Sequence, residues 1–201
     1  MRVYSDTSFA KNPDGTSQLG NLILLADAKN DCVILSYQSY KFRRRVRSSL
    51  ASETIAFVDT LDNAVLLSVQ LRLIFRRKLP MEMLTESRSL YEVMIRGSLI
   101  IERRLMINIQ AAREAYARSE ISNLGQLYSN FNLADHFTNA TSGDALRKLM
   151  RTIHVDNPMQ EWFHHNHVDM DSFLAPFSSL STTRRTASTA LTDDDNRAPS
   201  T

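Results

Sequence analysis

Val3 and Tyr4 favour strand, and Asp6 follows them just before a polar turn, Lys11-Asn-Pro-Asp-Gly15. Leu19–Ala26 and Cys32–Tyr40 read as two further strands joined by the polar turn 27–31, so the first forty residues predict an antiparallel meander. The period then changes. Ser48 or Ser49 can cap a helix running to about Phe75, with Leu50, Phe57, Leu61, Val65 and Val69 (with Val58, Leu66 and Leu73) forming one wide apolar stripe. Pro80–Leu84 predicts a fourth strand, and Thr85 or Ser87 can cap a helix over Ser89–Arg96. Beyond Gly97, the pattern predicts a helix over Leu99–Arg118, a fifth strand over Glu120–Leu127, and helices over Leu133–Ala140 and Asp144–Arg151. The expected class is α/β: a mixed five-stranded sheet, three antiparallel strands then two reached by helical crossovers, flanked by helices. Met81, Met83, Met94, Met106 and Met150 fall among apolar positions and are expected in the core.

From Ile153 the pattern fades. The expected organisation is a domain over 1–152, an extension over 153–177 in which Trp162, Phe163, Phe173 and Leu174 dock locally, and a disordered tail over 178–201. Charge follows the same division. Residues 1–152 hold 21 Lys+Arg against 15 Asp+Glu, whereas 153–201 hold 3 against 7, so only the first part suits a polyanionic partner. Cys32 is the single cysteine, which excludes a disulfide framework and a multi-cysteine zinc site and suits a reducing compartment. Arg72 and Arg76 interrupt the longest apolar run, so no membrane span is expected, and an intracellular location, cytoplasmic particle or nucleus, is.

Candidate chemistry lies with the acids. Asp6 ends a strand, Glu53 sits one turn inside a helix, Glu86 follows another strand and Asp135 opens a short helix. Taken singly, each has an ordinary reading: a turn cap for Asp6, a helix-dipole partner for Glu53. Together, four carboxylates at element ends suggest a site for hard divalent cations and two-metal phosphodiester chemistry. Lys41, Arg43, Arg44, Arg45 and Arg47 form a basic stretch, either a solvated connection or a phosphate-facing patch with Phe42 free to pack on sugar or base. His164, His165 and His167 with Asp169 and Asp171 lack a periodic element to fix them as ligands.

Four segments carry a resemblance in order: Ser5-Asp-Thr-Ser-Phe9, Ser48-Ser-Leu-Ala-Ser-Glu-Thr-Ile-Ala56, Leu84-Thr-Glu-Ser-Arg-Ser-Leu90 and Asn132-Leu-Ala-Asp-His-Phe-Thr138. With the stretches 102–108 and 111–116 between them, they resemble the successive motifs of the RNase H domain of copia-type retrotransposon polyproteins, over about residues 2–152. The resemblance implies an RNase H-like fold that hydrolyses the RNA strand of RNA–DNA hybrids during reverse transcription. It also implies Mg²⁺ as two ions (Mn²⁺ as a substitute) on Asp6, Glu53, Glu86 and Asp135, and a reverse transcriptase domain encoded upstream. The chain departs from that pattern at Glu86, where the family has Asp, at Ser52, where it has a smaller residue, and at Asn139, where it usually has Lys. A detached, partly degenerate copy is therefore expected, with a catalytically impaired nucleic-acid-binding remnant as the alternative to an active enzyme.

Overall fold

Val3 and Tyr4 are both fully buried although they point to opposite faces of β1 (Arg2–Ser8), so that strand lies inside the sheet rather than at its edge. The computed structural model describes residues 1–43, 45–96, 103–139, 143–155, 159–164 and 173. Within them, β2 (Gln18–Ala26) and β3 (Cys32–Lys41) complete the antiparallel meander. β4 (Glu82–Thr85) pairs parallel to the free side of β1, β5 (Asn123–Leu127) pairs parallel to β4, and β6 (Met159–His164) closes the far edge antiparallel. The order across the sheet is β3-β2-β1-β4-β5-β6.

α1 (Ser49–Phe75) and α2 (Arg88–Arg96) connect β1–β3 to β4 and β4 onward, and α3 (Arg103–Ala117) leads into β5. These three helices cover one face, where Phe57, Leu61, Leu90, Met94 and Ile109 pack on Val3, Ile23, Met83 and Leu124. The other face is covered by a 3-10 helix, Leu133–Phe137, and by α4 (Asp144–Thr152), which bring Leu133, Ala134 and Leu149 onto Tyr4, Leu22, Leu84 and Leu127. The alternation of β1 thus feeds two cores at once.

The α/β class and mixed sheet agree with the sequence pattern, but the sheet has six strands, not five. The sixth comes from the stretch expected to be an extension. Its Phe163 stacks on Tyr116 with ring centroids 5.4 Å apart, and Phe173 joins both rings at 5.5 and 5.9 Å. Phe173 also lies 3.7 Å from the guanidinium of Arg113, a cation 1% exposed whose Nη1 donates to the carbonyls of Val93 and Met94 at the end of α2. Leu174 and residues 178–201 lie outside the described residues, as do His165, His167, Asp169 and Asp171.

The apolar stripe of α1 divides. Phe57 and Leu61 are buried, but Leu66, Val69 and Leu73 are 62%, 55% and 73% exposed. Length explains this: a helix of 27 residues spans about 40 Å, whereas a strand of 7 spans about 23 Å, so the distal turns outrun the sheet. By length and composition alone, α1 is the one described helix that could cross a membrane; its first half is sealed into the core. Met150 is also exposed, on the outer side of α4, while Met81, Met83 and Met94 are buried as expected. Over the described part of the helix expected from Leu133 to Ala140, residues 133–139, the chain forms a 3-10 turn over Leu133–Phe137 in place of an α-helix. The backbone N–H of Thr138 donates to the Asp135 carbonyl at 3.1 Å, closing a tighter turn that ends the element.

Candidate active site

β4 is shorter than β1 and pairs with it only from Arg2 to Tyr4, so the last half of β1 has no strand on that side. The gap is filled by the segment that follows β5. There the side-chain amide of Asn132 donates to the Ser5 carbonyl at 3.2 Å, while its oxygen accepts from the Ala134 backbone at 3.2 Å. Asn132 therefore both starts the 3-10 helix and fastens it to β1. Asp6 sits next to this junction, 2% exposed, with the Thr138 hydroxyl donating to its Oδ2.

The start of α1 is fixed on the other side. Ser48 caps it, its Oγ accepting from the Ala51 N–H at 3.1 Å. The Thr7 hydroxyl donates to the Gln18 carbonyl, which leaves the Ser52 hydroxyl to donate to Thr7 Oγ1 at 2.7 Å. That bond pins the residue before Glu53 to the residue after Asp6. Ser52, a departure from the resembled pattern, serves here as a fastener.

All four candidate acids share one electrostatic neighbourhood. Burial, then the charges of Asp6 and Glu86, pushes Glu53 up to about 9. Burial, then Asp6 and Asp135, pushes Glu86 up to about 7, opposed by hydrogen bonds from the Asn132 and Ser129 side chains. Asp6 is also raised, by burial and the Asp135 charge, against the Thr138 hydroxyl, the Thr7 backbone and Lys11. Asp135 is held from the outside: its Oδ1 accepts from the Asn139 amide, whose oxygen accepts from Lys11. Asn139, in place of the resembled lysine, thus relays a cation from the β1–β2 connection. Glu53 and Glu86 line an open cleft of about 510 Å³ with Ser49, Ser87, Arg88, Ser89 and Glu92.

Whether these residues suit a divalent ion has two answers. Their chemistry does: carboxylates crowded enough to raise one another's pKa call for a counter-cation, and Glu86 Oε2 is buried with no hydrogen-bond partner among the described residues. Their spacing is looser, for among the described residues no three His, Cys, Asp or Glu side chains are gathered as a bound metal gathers its ligands.

The basic stretch is partly as expected. Arg43, Arg45 and Arg47 are exposed, and Lys41 forms an exposed 2.5 Å ion pair with Asp14. Arg44 lies outside the described residues. Phe42 is not free to meet a base: it is 8% exposed, packed with Leu19 and Ala56. An aromatic side chain beside a helix start buries more area against α1 than it could against solvent. Thr138, Asn132, Ser129 and Lys11 were not singled out as site residues by the sequence. Only the N-cap preference of Asn132 could have pointed to one of them.

Several solved structures share this fold. The N-terminal RNase H domain of a Mycobacterium tuberculosis protein matches with a TM-score of 0.51 at 19% identity, over 69% of this chain and 95% of that one. RNase H1 from the archaeon Halobacterium salinarum matches with a TM-score of 0.52 at 18% identity, over 72% and 98%. LC11-RNase H1, solved in complex with an RNA/DNA hybrid, gives 0.52, 18%, 72% and 98%. No protein-family model matches the sequence, and no curated protein does. The chain therefore has the RNase H fold, at 18–19% sequence identity to these structures.

Proposed function

We propose that this chain is a ribonuclease that cleaves the RNA strand of RNA–DNA hybrids with the help of divalent metal ions. The observation that carries the reading is the electrostatic coupling of Asp6, Glu53, Glu86 and Asp135 around the C-terminal half of β1, in a fold shared with RNase H enzymes. Asp6, Glu53, Glu86 and Asp135 would hold two Mg²⁺ ions, Mn²⁺ substituting. When bound, such ions supply an activated water and neutralise the leaving oxygen. The protein's own part is positional: Thr138 and Asn139 orient Asp6 and Asp135, and Ser52 sets Glu53 beside them. Arg43, Arg44, Arg45 and Arg47, with Lys41, contact the hybrid backbone and contribute little sequence readout. From the resemblance to copia-type domains we infer that the activity serves retrotransposon reverse transcription inside the cell, alongside a reverse transcriptase domain encoded upstream.

A second reading, a hybrid-binding remnant without turnover, is favoured by one feature. Glu86 carries a methylene more than the resembled Asp, and metal sites tolerate displaced ligands poorly. An end-labelled RNA–DNA hybrid incubated with the whole chain in Mg²⁺, and separately in Mn²⁺, separates the two. The proposed enzyme cleaves the RNA strand and loses that cleavage in Asp6→Asn. A wild type that binds but does not cut, with cleavage gained in Glu86→Asp, establishes the remnant instead.

A further inference from the structure

Gly20 stands in the middle of β2, where a glycine weakens a strand and therefore needs a reason. Its backbone does not supply one, since only Gly15 and Gly143 among the described glycines have positive φ. Space does. In the β1–β2 ladder Gly20 is the partner of Asp6, and a Cβ built on it would lie 2.8 Å from the Ala134 carbonyl oxygen, from Phe137 Cβ and from Thr138 Cγ2. One of these atoms is backbone and one a Cβ, so rotating a side chain cannot relieve the overlap.

We propose that Gly20 is a positioning residue for the acid cluster: its missing side chain lets the 3-10 segment sit close enough on β2 for Thr138 to hold Asp6 and for Asp135 to reach the same site. The proposal rests on reading that cluster as the active site. Restoring ordinary contact requires a shift of about 0.6 Å, from 2.8 to 3.4 Å, and the close-packed segment can give only as a unit. That shift withdraws the Thr138 hydroxyl from Asp6 and carries Asp135 and its partner Asn139 outward. Asp6 itself, on β1, stays in place. One substitution on a strand that carries no candidate ligand would thus separate the first acid from the last.

The test uses the whole chain and two variants, Gly20→Ala and Thr138→Val, with three readouts: backbone amide spectra, Mn²⁺ affinity by calorimetry without nucleic acid, and kcat and KM on an RNA–DNA hybrid. In Gly20→Ala, amide shifts concentrate in 132–139 and at Asp6. Mn²⁺ affinity falls about tenfold, and kcat falls about a hundredfold while KM holds. Thr138→Val, which keeps the shape of the side chain and removes its hydroxyl, lowers Mn²⁺ affinity and kcat in the same direction with a wild-type amide spectrum elsewhere. Unchanged amides over 132–139 in Gly20→Ala, or wild-type metal affinity and kcat in Thr138→Val, would overturn the assignment. If Gly20→Ala does not fold, Thr138→Val decides alone. A wild type that neither binds Mn²⁺ nor cleaves rejects the enzyme reading, and the amide spectra of Gly20→Ala then judge the positioning role separately.

Discussion

Replacing Glu53 by Gln removes a carboxyl that the fold holds at a pKa of about 9 against an ordinary 4.5, chiefly because it is buried and also because Asp6 and Glu86 face it. A folded-state pKa above the unfolded one means stability that is complete below pH 4.5 and is lost as pH climbs toward 9. In that window the unfolded chain releases a proton that the folded chain keeps. At about 1.4 kcal/mol per unit, the interval from 4.5 to pH 7 amounts to about 3 kcal/mol of lost stability in the metal-free protein. Glu86 titrates in the same range and shares the repulsion, so this is an upper value. Glu53→Gln, close in shape and unable to ionise, should match the wild type near pH 4.5 and exceed it increasingly above. Urea denaturation in EDTA at pH 4.5, 6, 7 and 8 measures this; with an m-value of about 2–3 kcal/mol/M, the pH 7 midpoint rises by about 1 M. Cleavage should vanish in the same variant. Coincident midpoints at pH 7, or a gap that does not change with pH, would refute the argument that the fold holds the Glu53 carboxyl protonated.

The same coupling predicts that Mg²⁺ raises the melting temperature more at pH 8 than at pH 5.5 and releases protons on binding, because the proposed ligands Glu53 and Glu86 would bind metal as carboxylates; calorimetry in two buffers of different ionisation enthalpy checks the proton count. Phe173→Ala removes the ring over Arg113 and its contacts with Tyr116 and Phe163, and should lower stability by about 3 kcal/mol in urea titrations. The triple variant Arg43→Ala, Arg45→Ala, Arg47→Ala should weaken hybrid binding and reduce the salt slope of log K by about one for each cation that touches phosphate, measured by fluorescence anisotropy across a salt series.

Much of the fold is legible because its elements are long and periodic. The meander, the cap at Ser48, and the strand over Glu82–Thr85 followed by α2 all stand where apolar spacing and turn residues place them. The sixth strand was missed because Met159–His164 shows no alternation of its own; it forms by completing β5 and by the stacking of Phe163 on Tyr116, which are distant in sequence. The exposed Leu66, Val69 and Leu73 were missed for the opposite reason, since periodicity marks a face without saying how far the sheet beneath it extends. The candidate acids could be named from element ends and from a resemblance. Their supports could not, because Thr138 on Asp6, Ser52 on Thr7 and Asn132 on Ser5 are bonds between segments with nothing in either sequence to announce the other.

The interior position of β1 also governs how the chain can be made. Its first neighbour, β2, is available within a few dozen residues, but its second, β4, begins at Glu82, about forty residues after β3 ends at Lys41. During synthesis or refolding, the meander therefore waits for α1 with an unpaired strand edge open, the arrangement most prone to pairing with another chain. Refolding yield should fall as protein concentration rises, and mixing a separate meander peptide with refolding chains should worsen the loss. The strand order that seats Asp6 at the heart of the molecule thus makes its assembly a race between β4 and a neighbour.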